Sequence, residues 1–244
     1  MALHTANAIV LRQYPFRETS VLVSCLTDSA GKLKGLIKGL RAPRTRYRSP
    51  MQPLSLNRIV YYDTRTSSLH LITQCELLDD FSGLQHDVDV MFLAAFCAEL
   101  ADAVVELEEP QPPLFLLLKD TLGRLTGATT PEARAAIRMH FVLRLLRPAG
   151  FRPQLDECSA CGTRPAGSDA YWSAGQGGLL CASCLYHDPS AANIGPALLE
   201  ALKGCADADA PHPVESAHAV VIGRLLEEFL RWRLTRPLKT MRRT

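Results

Sequence analysis

The chain has 244 residues, 47% of them hydrophobic and 21% charged, which describes a folded soluble protein rather than a disordered one and provides apolar surface for one large domain or two to three small ones. Arg, Asp or Glu interrupts every apolar run before it reaches the length of a membrane span, and the first twenty residues lack the basic, apolar and small-residue regions of a secretory signal. The expected compartment is therefore the cytoplasm. The net charge of +2 hides segregation: residues 1–60 carry +8, 61–130 carry −9, 131–230 carry −3 and 231–244 carry +6. Local rather than average positive potential attracts polyanions, and both ends supply it.

Residues 1–80 read as five short strands, at 6–12, 19–26, 32–40, 54–62 and 69–77. A turn at 27–31 and a hairpin connection at 63–68 separate some of them. Five short strands in this length fit a small five-stranded barrel of the oligonucleotide-binding type, although a sandwich is open. In the third strand, alternation sends Lys32, Lys34, Leu36 and Lys38 to one face and Leu33, Gly35, Ile37 and Gly39 to the other. The positive run continues through Arg41, Arg44, Arg46 and Arg48 without an acid. Such a strand face and loop suit attraction to phosphates, with a solvated loop as the plainer alternative. Tyr47 offers a stacking platform for a base, and Tyr14, Phe16, Tyr61 and Tyr62 offer others. Core packing is an equal reading of each aromatic.

Helical periodicity begins at Val88 and carries Met91, Phe92, Ala95, Phe96 and Leu100 on one stripe. Pro110, Pro112 and Pro113 interrupt it before a second helix over 114–125. A third starts near Pro131, with Thr130 as its cap. Two further helices are expected over 196–203 and 213–234.

Between the third and fourth helices stand Cys158-Ser-Ala-Cys161 and, nineteen residues later, Cys181-Ala-Ser-Cys184. In a reducing compartment, two close cysteine pairs read as ligands that grip one tetrahedral ion from two sides. Four thiolates leave no open position, so the expected cofactor is one structural Zn²⁺. The spacing speaks more strongly for a metal than for which metal. His187 reads as a surface or packing residue, and Cys25, Cys75, Cys97 and Cys205 as small buried hydrophobes. The tail residues Arg231, Trp232, Arg233, Arg236, Lys239, Arg242 and Arg243 form a second candidate surface. It fits DNA or an acidic partner peptide, with Trp232 or Leu238 as an apolar anchor, or simply a solvated helix end. No nucleotide-binding loop, metalloprotease helix, deaminase motif or paired-acid nuclease motif is present, so no catalytic residue is assigned.

The segments Ala8-Ile-Val-Leu-Arg12, Tyr14-Pro-Phe-Arg-Glu-Thr-Ser20 and Gly31-Lys-Leu-Lys-Gly-Leu-Ile-Lys-Gly-Leu-Arg41 together resemble the bacterial RecO family of recombination mediators. So do Leu145-Leu-Arg-Pro-Ala-Gly-Phe-Arg-Pro-Gln-Leu-Asp-Glu-Cys158 and Arg236-Pro-Leu-Lys239, and the four cysteines match the zinc-bearing form. The resemblance implies an α+β multidomain protein: an oligonucleotide-binding barrel (1–80), a helical domain in two parts (81–150 and 191–244, the latter with the basic tail) and a zinc-binding insertion (151–190). It implies a non-enzymatic protein that binds single- and double-stranded DNA and anneals complementary strands. The implied partners are RecR and the C-terminal tail of single-stranded-DNA-binding protein, with a functional link to RecA loading. A zinc-stabilised interaction adaptor with little DNA affinity is the competing expectation, and a metal-dependent nuclease a weaker one.

Overall fold

In the computed structural model the described residues are 2–64, 68–165 and 168–243, without the side chains of Arg242 and Arg243. They divide into two compact units, Met1–Gly127 and Ala128–Thr244. Part of the connection read over 63–68 lies outside the described residues.

The first unit begins with β1 (Leu3–Phe16), β2 (Ser20–Thr27), β3 (Gly31–Ile37), β4 (Leu56–Tyr62) and β5 (Leu69–Asp79). These strands close into a five-stranded barrel of order β1-β2-β3-β5-β4, with β1 also bonded to β4. Alternation drives the closure: Ala8, Val10, Val23, Cys25, Leu33, Ile37, Ile59 and Ile72 all point inward to one core. Alternation turns position 35 to that core, and it takes glycine because a Cβ there would come within 2.3 Å of Ile72 Cδ1. β3 ends at Ile37, earlier than the expected 40, because Gly39 takes the left-handed region (φ 78°) and turns residues 38–40. A bulge in β1 between Val10 and Arg12 bends that long strand so that it can pair with both β2 and β4.

The β3–β5 seam is parallel and only three residue pairs long, from Lys34↔Leu69 to Leu36↔Leu71. Each end is continued by a connecting segment. Leu107 bridges to Lys32, with Glu108 N donating to Lys32 O at 2.9 Å, and Arg48 bridges to Glu76. Two helices complete this unit: α1 (Val88–Val104), capped by the Asp87 carboxylate on the amides of Asp89 and Val90, and α2 (Pro112–Leu125). Their sequence pattern suggests the start of the helical domain, but their packing joins them to the same compact unit as the barrel.

The second unit is built on α3 (Pro131–Leu146), α4 (Gly195–Asp207) and α5 (Ser216–Arg233). Thr130 caps α3 as expected, its hydroxyl accepting from Ala133 N at 3.2 Å. Between α3 and α4 the chain forms a small sheet from β6 (Tyr171–Ser173), β7 (Gly178–Leu180) and β8 (Ala192–Asn193), in the order β7-β6-β8. Strands of two or three residues carry too little alternation to read from sequence. Trp172 is buried from this sheet against Phe229 of α5, ring centroids 5.7 Å apart. Arg233 donates to Ala174 O at 3.4 Å and stacks over Phe229. Among the described residues, no helix is long and apolar enough to cross a membrane.

Candidate metal centre and nucleic-acid interface

Two short turns present the four cysteines. In the first, Gly162 N donates to Cys158 O (2.9 Å) and Cys158 N to Thr163 O (2.8 Å); in the second, Cys184 N donates to Cys181 O (2.9 Å) at a 3₁₀ turn over Ala182–His187. Ser159 N donating to Leu179 O at 2.7 Å ties the first turn to β7. The four sulfurs lie within 4.8 Å of one another, and Cys161 Sγ is 3.8 Å from Cys181 Sγ. That separation is what a tetrahedron with metal–sulfur bonds of about 2.3 Å requires, about 3.8 Å along an edge.

The electrostatics of the sulfurs fit a cation as well. Hydrogen bonds from the side chain and backbone of Thr163, with help from Cys184 and Cys158, hold Cys161 down at about 6. Burial raises Cys158, yet donors from the backbone of Cys181, Cys161 and Ala160 outweigh it and bring that thiol below its ordinary value. Burial and the three neighbouring sulfurs push Cys184 up to about 12. Four sulfurs this close cannot all ionise unless a positive ion sits among them. Leu180, Tyr171 and Ala191 pack against the buried Cys158 and Cys184, while Cys161 stays exposed. The residues present can therefore hold one tetrahedral metal ion with no free coordination position. His187 lies outside the sulfur group, with its ring against Tyr186. Cys25, Cys75, Cys97 and Cys205 are each buried, as expected of small hydrophobes.

The basic run is divided by the fold. Lys34 projects from the outer face of β3, and Lys38, Arg41, Arg44, Arg46 and Arg48 are exposed on the following turn and loop. None of these six forms an ion pair with a described residue. Lys32 differs: its ammonium donates to Asp102 O of α1 at 2.5 Å, and its side chain is only 12% exposed. Burial lowers its pKa, partly offset by Asp102. Tyr47 is half-buried against the barrel core, donates its hydroxyl to Lys38 O at 3.1 Å, and carries the Arg46 guanidinium 5.3 Å from its ring centroid. Of the other aromatics, Tyr14 is half exposed. Of the two readings of Tyr61, stacking platform or core, the structure shows core: it is 4% exposed, with the rings of His4 and His70 against it.

One basic residue on this surface escapes a sequence reading. Arg58, on the outer face of β4, joins Arg46 and Arg48 around a groove of about 430 Å³. A single arginine amid apolar strand residues gives no local signal; only the closed barrel brings it beside the loop.

In the second unit, Arg231 and Arg236 are exposed, and Trp232 is 66% exposed with its indole along the backbone of Gly175. Arg233 is occupied by Ala174 and Phe229, and Lys239 is exposed. Leu238, expected as an alternative anchor, is buried to 2% and cannot serve as one. The side chains of Arg242 and Arg243 lie outside the described residues.

Comparison with known proteins decides the relationship. The chain matches the model "Recombination protein O N terminal" over residues 1–81 and "Recombination protein O C terminal" over residues 85–242. The chain belongs to the RecO family. It is 30% identical to the DNA repair protein RecO of Symbiobacterium thermophilum, over 98% of this chain and 96% of that one. Against the RecO proteins of Anaeromyxobacter dehalogenans and a Nocardioides species the identity is 32%, covering 97% and 98% of this chain and 93% and 98% of theirs. RecO proteins are non-catalytic mediators, in keeping with a chain that carries a four-cysteine cluster and a basic barrel.

Proposed function

We propose that this RecO-family chain is a DNA-binding recombination mediator. It anneals complementary single strands and, with RecR and the C-terminal tail of single-stranded-DNA-binding protein, helps load RecA. The observation that carries the reading is the line of six solvent-facing cations from Lys34 to Arg48 on a closed barrel. The strand order β1-β2-β3-β5-β4, with its parallel β3–β5 pair, supports an oligonucleotide-binding fold. Lys32 belongs to the interface by position, but its ammonium braces α1, and we assign the phosphate contacts to the other six and to Tyr47's neighbourhood.

Annealing on such a surface needs no chemical step. Cations lower the repulsion between two strands while base edges stay free to pair. By role rather than by packing, the division we propose is the barrel (1–80), the helical domain (81–150 and 191–244) and the zinc insertion (151–190), the last held by one structural Zn²⁺ on Cys158, Cys161, Cys181 and Cys184. The work is done in the cytoplasm, at DNA.

The exposed Trp232, flanked by Arg231 and Arg236, favours a second role as a partner-docking adaptor. Arg233, Lys239, Arg242 and Arg243 extend that surface in the proposal. Strand annealing by the purified metal-loaded protein, with labelled complementary oligonucleotides, separates the two. Acceleration without cleavage or nucleotide hydrolysis is expected; no acceleration across a range of salt concentrations leaves the adaptor.

A further inference from the structure

The groove beside Arg58 has features that a simple phosphate track does not need. Arg46 and Arg48 form one side, Arg58 the other, and Val60 with residues 73–76 of β5 the floor. The floor is shaped by a bulge: Val60 pairs with Gln74 and Tyr61 with Ile72, which leaves Thr73 as the extra residue, its hydroxyl donating to Val60 O at 3.3 Å. Bulges re-aim neighbouring side chains.

The walls are fixed before any ligand arrives. Arg48 N donates to Cys75 O at 3.2 Å, and the Cys75 thiol donates to Ser49 O at 3.5 Å. Ser49 also bonds to the buried Asn57 side chain, and Met51 N donates to Ser49 Oγ. A backbone held in this way loses little freedom on binding, so the ordering on binding falls on the arginine side chains.

Its chemistry is mixed. Arg58 and Glu76 stand 4.0 Å apart with side chains 55% and 49% exposed, a loose pair that contributes little and leaves both groups able to re-pair. A free phosphate has no use for Glu76 or for the apolar Val60. A nucleotide uses all of them: phosphate for the arginines, a ring face for Val60 and the planar Arg46 guanidinium, and an edge for Arg58, Gln74 and Glu76. The volume falls in the range of small-molecule pockets.

We infer that this groove is a subsite for one unpaired nucleotide of a DNA strand, phosphate on Arg46 and Arg48, base over Val60, base edge toward Arg58, Gln74 and Glu76. The inference rests on the DNA-binding reading above and adds recognition of a base. A stacked, paired base cannot enter, so the groove distinguishes single strands from duplex.

The test uses fluorescence anisotropy with the full-length, metal-loaded protein and three labelled probes: oligodeoxycytidylate, the same strand with abasic sites, and duplex. Base–aromatic stacking is worth about 1–3 kcal/mol and a base over the aliphatic Val60 takes the lower end, so the intact strand should bind roughly 5-fold more tightly than the abasic one. Gln74→Trp, which fills the groove from an exposed position, should bring the intact strand down to the abasic level and leave abasic and duplex binding unchanged. Glu76→Gln removes a negative charge, so it tightens all three probes if only phosphates are bound. It weakens the intact strand alone if the carboxylate accepts from the cytosine amino group. Equal effects on intact and abasic strands, or none, in variants with the wild-type melting temperature would overturn the subsite while leaving DNA binding in place. Failure of the wild-type protein to bind any probe at low salt would overturn the function itself and the subsite with it.

Discussion

Lys32 and Asp102, 70 residues apart in the chain, meet twice: the ammonium donates to the Asp102 carbonyl oxygen at 2.5 Å and lies 3.9 Å from its carboxylate. The same carboxylate takes Arg12 Nε at 2.7 Å and the Ser24 hydroxyl at 2.8 Å, so one residue of α1 gathers side chains from β1, β2 and β3. Lys32→Ala should therefore destabilise the first unit by about 1.5–3 kcal/mol, the worth of a charge-assisted hydrogen bond. DNA affinity at fixed salt should change little. Denaturant titration and anisotropy on one preparation check the two halves of this expectation.

Lys38 and Arg41 behave oppositely, because both are exposed and carry no ion pair with a described residue. Neutralising both to Gln should leave stability unchanged and weaken single-strand binding. The slope of log K against log salt should fall by roughly 1.4, at about 0.7 for each phosphate that is no longer neutralised. A salt titration that gives the wild-type slope would remove these two residues from the interface.

Cys158 sits at the buried edge of the sulfur group, and replacing it leaves three ligands around any bound ion. Cys158→Ser should release metal and open the small sheet of β6, β7 and β8 to protease, since that segment has only a few apolar side chains of its own. Native mass spectrometry and limited proteolysis report metal content and integrity separately. Retained metal with unchanged resistance would contradict the assignment.

Asp63 offers a pH test in the barrel. The Ala2 backbone amide donates to its carboxylate, and His4 adds to the effect, so its pKa lies below the ordinary aspartate value. A depressed carboxylate stabilises the folded state fully above the unfolded value and loses that contribution as pH falls through the folded one. Carboxyl NMR should show an acid-shifted midpoint for Asp63. His4→Ala should move that midpoint back part of the way.

Much of the barrel is legible in the sequence because its signals are local. Alternation through Lys32–Ile37 announces a strand with a wet face, and the proline–cap arrangement at Thr130 announces a helix start. The metal site is legible for a related reason, since spacing within each cysteine pair is set by a single turn. Lys32's commitment to Asp102 is not legible, because its cause lies on another element. Arg58 is hidden for the same reason: its neighbours Arg46 and Arg48 reach it across a barrel surface. The membership of α1 and α2 in the first unit is likewise a matter of packing, and their amphipathic pattern is the same whichever core they join.

The short β3–β5 seam bears on how this chain can be divided. The family models separate between residues 81 and 85, yet the bond to Lys32 O comes from Glu108, beyond that division. A fragment cut at the family boundary would keep all five strands but expose a stretch of backbone on β3 that the intact chain covers. An uncovered strand edge is a template for pairing with another molecule. Self-association of such a truncated barrel would then reflect where it was cut, and extending it through α2 would cover that stretch of β3 again.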